Sequence, residues 1–153
     1  MSVSAQQQRA NDVALLLVRA ILAAVFILHG GQKLFGWFGG HGIAGTSGYL
    51  ASLGIPLPTL GAAAAGATEF FGGLFLLVGT GTRLAALPMA ATMFVAAFTA
   101  HSGFDILKGG MEYPLTLAIV LVALSLLGPG RLTLGLLVGA EGRKGTTSVA
   151  ASA

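Results

Sequence analysis

The chain has 153 residues, 55% of them hydrophobic and 8% charged, with eight Lys and Arg against five Asp and Glu for a net charge of +3. A soluble domain carries about 25% charged residues, so this composition excludes an ordinary soluble fold and describes one small all-α domain in lipid. The absence of cysteine excludes thiol–disulfide chemistry, iron–sulfur ligation and thiolate zinc sites carried by this chain.

Residues 1–12 form a polar tail that closes on Asp12, a good N-cap for the run that follows. From Val13 to Leu28 only Arg19 is not apolar, and the pattern predicts a first transmembrane helix over 13–34, about 33 Å long. No small-x-small cleavage site follows the run, so it reads as an uncleaved helix. Its exit, His29-Gly30-Gly31-Gln32-Lys33-Leu34-Phe35-Gly36-Trp37, gathers histidine, a cation and the only tryptophan, the composition of a membrane-interface anchor. The glycine-rich connection after it holds a short interfacial helix around Thr46–Leu53, capped by Thr46 or Ser47, with Tyr49, Leu50 and Leu53 on one face.

A second helix is predicted over 59–78, where the run Gly61-Ala62-Ala63-Ala64-Ala65-Gly66 puts small residues at spacing four for close helix approach. The turn Gly79-Thr80-Gly81 makes the third helix, 83–100, its antiparallel neighbour, and Pro88 bends that helix in its second turn. A second polar connection, His101 to Glu112, leads to a fourth helix over 113–128. From Pro114 that helix covers only about 21 Å, short for a span. The four helices make one domain, 13–138, followed by a flexible tail, 139–153. Arg9, Arg83, Arg131, Arg143 and Lys144 fall on one side of the four spans, and Lys33 and Lys108 on the other. The positive-inside rule then places both termini in the cytoplasm and the two long connections outside.

Arg19, His29 and Lys33 share one face of the first helix, because steps of four and fourteen residues return to the same side. Glu69 lies near the middle of the second helix, where a carboxyl is protonated, paired or turned to a cavity. Arg19 is the partner expected for Glu69, the alternative being an arginine that snorkels to the inner interface. Arg19, His29, Lys33 and Glu69 thus make the candidate polar seam. Trp37, His101 and Glu112 are weaker candidates on the same outer side. His29 and His101 end two helices at similar depth, but nothing else marks a haem site. His101, Asp105 and Glu112 lack the tight spacing of a metal site. Membrane lipid is the expected surrounding and a second copy of the chain a candidate partner. The scattered charges supply no stripe for nucleic acid.

Several short stretches carry a resemblance. They are Arg19 in the first helix, His29-Gly30 with Lys33-Leu34-Phe35-Gly36, and Leu53-Gly54-Ile55-Pro56. They continue with Glu69 followed by Gly72-Gly73, Thr82-Arg83-Leu84-Ala85, and Leu127-Gly128-Pro129-Gly130-Arg131. In this order and spacing the chain resembles the DoxX family of small membrane proteins from about Val13 to Leu137. The resemblance implies a four-helix integral membrane protein of the cell inner membrane. It also implies association with thiosulfate:quinone oxidoreductase, terminal quinol oxidase or redox-defence complexes. The implied role is a membrane subunit that lodges a quinone near the outer interface, beside an oxidoreductase partner. One departure stands at Gly135, where family members often carry an acidic residue. Two other roles remain open at this stage: a non-enzymatic scaffold that recruits a soluble redox enzyme, and a small transporter using Glu69 as a relay.

Overall fold

The computed structural model describes residues 4–135, which form an all-α bundle with no strand among them. Five α-helices follow in order: α1 Ala5–Phe35, α2 Gly42–Ser52, α3 Pro58–Val78, α4 Thr82–Thr99 and α5 Glu112–Leu127. Three of them, α1, α3 and α4, are long and apolar enough to cross a membrane, and α5 is a shorter apolar helix. The interfacial helix is present as α2. It begins at Gly42, four residues before the Thr46 expected to open it.

The first helix corrects the sequence reading. It starts at Ala5 rather than Val13, with Ser4 as N-cap accepting from the Gln7 N–H at 3.2 Å. Ala5, the glutamines and Arg9 are good helix formers, so a polar stretch need not be a tail. Asp12 is therefore inside the helix and buried, and its Oδ1 accepts the backbone N–H of Arg131 at 2.9 Å. The expected C-terminal tail, 139–153, lies outside the described residues.

Close approach between α1 and α3 organises the bundle. A Cβ on Gly30 would overlap the backbone of Phe70, one on Gly66 would press on Leu34, and one on Gly73 would lie 2.9 Å from the Ile27 nitrogen. Each pair of positions adds up to 100, which fixes the antiparallel register. The first two turns of α3 therefore stand beyond the end of α1, and α2 packs there, with Leu50 against Gly61. The core below is built from Leu22 and Phe26 of α1, Leu76 of α3, Met89 and Met93 of α4, and Leu121 of α5. Burying each such side chain is worth about 1.5–3 kcal/mol against water, but in lipid it is packing contact that holds them together.

The bundle has two distinct ends. At the loop end lie the connections on either side of α2 and the segment between α4 and α5. Two non-glycine residues there hold left-handed backbone, Phe38 and Leu57, each with φ of 52°, at a cost of about 1–2 kcal/mol apiece. At the terminal end lie the start of α1, the α3–α4 turn and the segment after α5. Arg83 donates to the Leu127 carbonyl at 3.4 Å there, covering the last turn of α5.

Candidate functional site

Glu69 of α3 is the charge the sequence placed deepest, and the register decides its partner. It stands level with Gly31 of α1, within one turn of Lys33. Lys33 Nζ lies 2.5 Å from Glu69 Oε2, with the Glu69 side chain 2% exposed and that of Lys33 30% exposed. The expected Arg19–Glu69 pair is therefore absent. Arg19 sits some twelve residues lower on α1, against Gly79 in the α3–α4 turn.

Nor does Arg19 snorkel to water. It is buried, 1% exposed, and its Nη2 donates to the Leu132 carbonyl at 2.7 Å. Its Nε and Nη1 have no hydrogen-bond partner among the described residues. Asp12 and Arg19 thus grip adjacent residues of the segment after α5 with opposite polarity. The carboxylate takes the Arg131 N–H and the guanidinium takes the Leu132 carbonyl.

The Lys33–Glu69 pair forms part of the wall of a cavity of about 360 Å³ at the loop end. The cavity is lined by all five helices, α1, α2 and α3 on one side and α4 and α5 on the other, and is partly open. Phe26, Leu50, Ile55, Met93 and Leu117 are among its apolar wall residues. His29 and His101 both line it, so the two histidines expected at similar depth do reach one space. His101 Nδ1 lies 2.9 Å from the Ala96 carbonyl. A carbonyl only accepts, so Nδ1 carries the proton and a neutral ring leaves Nε2 as an acceptor. Thr92 and Thr99 also line the cavity, with their hydroxyls donating back to Pro88 and Val95 of their own helix.

The remaining candidates lie elsewhere. Trp37 does not line the cavity. It lies tilted against Phe35 at 4.7 Å between ring centres, meets Phe70 edge to face at 5.7 Å, and covers Gly31. Glu112 accepts from the Ile106 N–H at 3.3 Å and shapes the loop before α5. Among the described residues no three His, Asp or Glu side chains converge as metal ligands. The structure also adds wall residues that the sequence did not single out for the site. They are Thr46, Tyr49 and Leu50 from α2 and Tyr113 from α5. The shared face of Tyr49 and Leu50 was visible in the sequence, but not that it roofs a cavity.

An α-helical bundle with three helices long and apolar enough to cross a membrane, lining an apolar cavity with a Lys33–Glu69 ion pair in its wall, is a small integral membrane protein. The DoxX family model matches residues 14–102, more than half of the chain, and the chain belongs to that family. It is 31% identical to the inner membrane protein YqjF of Escherichia coli (strain K12) over 128 residues, 80% of this chain and 90% of that protein. No solved structure matches. The family match spans α1 through α4 and so includes His29, Lys33 and Glu69, while Tyr113 lies beyond it.

Proposed function

We propose that the chain is a bacterial inner-membrane subunit that holds a quinone-class molecule in the cavity at the loop end. One observation carries this reading: the cavity pairs an apolar wall with a charge-balanced Lys33–Glu69 couple. A volume near 360 Å³ falls within the roughly 300–1,000 Å³ of small-molecule sites. Because the ammonium and carboxylate cancel, the space favours an uncharged ligand over an ion. Lys33 uses one of its three N–H donors on Glu69, which leaves donors for a ring oxygen. His101 Nε2 offers an acceptor, and Phe26, Met93 and Leu117 would give a planar ring apolar surface to lie against. The residues present therefore fit a quinone, which when bound carries two electrons and two protons. The chain's part is to exclude water, orient the ring and hold a proton at Glu69 or His101.

The family resemblance supports the further step, that an oxidoreductase or redox-defence complex is the partner. The relative's inner-membrane name supports that membrane, and the five-to-two division of Lys and Arg supports both termini facing the cytoplasm.

The test is equilibrium binding of a decyl-chain ubiquinone analogue to purified protein in mild detergent. Saturable binding near one per chain is expected, weakened at least about fivefold by Leu50→Trp, which fills the cavity, or by His101→Ala. Binding that is linear in detergent, or unmoved by both changes, overturns the reading.

A further inference from the structure

We propose that α2 is a movable lid over the cavity, hinged on glycines at both ends and latched by Tyr49 and Ser47. Four observations converge on it. First, α2 has no buried residue, whereas each of α1, α3, α4 and α5 has several. Second, the start of α2 carries no side-chain cap, and glycines with positive φ stand at its ends: Gly36 and Gly39 before it, Gly42 as its first residue and Gly54 after it. Such positions turn freely because no Cβ opposes the change.

Third, two side-chain hydrogen bonds tie α2 to the rest of the bundle among the described residues. Ser47 Oγ meets Thr59 Oγ1 at 2.9 Å, and the Tyr49 hydroxyl donates to the Ala100 carbonyl at 3.4 Å. The first is short and the second long, so the latch toward α4 is the weaker of the two. Fourth, the face that α2 turns inward, with Thr46, Tyr49 and Leu50, is cavity wall. Swinging α2 away from α4 would widen the opening of the cavity on the side of Val95 and Thr99, both exposed wall residues. With α4 spanning the bilayer, that side would face lipid, so a ligand would come from the bilayer rather than from the outer aqueous phase.

The proposal rests on the cavity being a binding site. Its test reads access by a small reagent, so it stands or falls separately from quinone binding. The chain has no cysteine, which allows Ala65→Cys to report on the cavity wall. The lid is locked with a disulfide between Ser47→Cys and Thr59→Cys, formed with oxidant before N-ethylmaleimide is added. Labelling at residue 65 is read by peptide mass spectrometry. Locking should slow that labelling by about tenfold, and reduction should restore it. Tyr49→Phe, which keeps the ring and removes the hydroxyl, should raise it about two- to fivefold.

Equal labelling in locked and free protein overturns the lid. So does residue 65 staying unlabelled in both states, or failure of the disulfide to form. A second measurement needs no variant. Amides of α2 should exchange with deuterium as a block, about tenfold or more faster than those of α3, and equal protection of the two helices overturns the proposal.

Discussion

Lys33 of α1 and Glu69 of α3 form an ion pair inside the bundle, Nζ to Oε2 at 2.5 Å, while Arg19 lies about 21 Å below Lys33 along α1. The two partners are unequal. Glu69 is enclosed, whereas Lys33 is partly open, and its long stem would let a released ammonium reach the interface.

The inequality predicts an asymmetric double-mutant cycle. Lys33→Leu should cost more folded yield and thermal stability than Glu69→Leu, because it strands a buried carboxylate while the reverse change frees a lysine that can reach water. The coupling in the cycle should be about 1–2 kcal/mol, and that between Arg19→Leu and Glu69→Leu should stay below about 0.5 kcal/mol. Coupling of Glu69 to Arg19 instead of Lys33 would sink this pairing.

Asp12 is expected to hold the segment after α5 rather than to start a helix. Asp12→Ala should destabilise the protein by about 1–3 kcal/mol and speed amide exchange at Arg131. Asp12→Asn keeps an oxygen acceptor and should do less on both counts. Equal effects of the two changes, or an unchanged Arg131 amide, would count against the contact.

The α1–α3 register gives a third expectation. Gly30→Ala must push a methyl into the backbone of Phe70 and should cost about 1–3 kcal/mol by overpacking. Gly48→Ala, with nothing within 4 Å of its Cβ, should be neutral or stabilising by up to about 1 kcal/mol from helix propensity. Thermal unfolding in detergent separates the two, and a tolerated Gly30→Ala would mean the helices do not approach so closely.

Orientation can be read with single cysteines. Ser102 and Thr80 are exposed at opposite ends of the bundle. A membrane-impermeant thiol reagent on intact cells should label Ser102→Cys and leave Thr80→Cys untouched. The reverse pattern would invert the topology.

The sequence shows the helices and their class because apolar run length and turn residues are local signals. Glu69, His29 and Lys33 stand out for the same reason, as polar groups within or beside an apolar run. The pairing was not legible. Centring the two apolar runs at one depth puts Glu69 level with residue 23, about eight residues and 12 Å from where it stands. That offset comes from α2 packing on the first turns of α3, a contact no local pattern announces. Asp12 misled for a related reason. Its carboxylate serves a backbone group 119 residues away, while an unremarkable serine caps the helix. Tyr49 and Tyr113 reach the cavity only through the way the connections fold back over the bundle end.

The helices are of unequal length, and the inequality is segregated. α4 and α5 pack side by side and have 18 and 16 residues, about 27 and 24 Å against an apolar bilayer core of about 30 Å. α1, on the other side of the cavity, has 31 residues, about 46 Å. A bilayer meeting this protein is therefore drawn thin along one flank and not the other, at fractions of a kcal/mol per Å of misfit. That deformation is an elastic stress shared by the surrounding lipid, relieved when one thinned flank meets another. It would gather copies of the chain, or similarly short-sided neighbours, flank to flank without any specific contact between them.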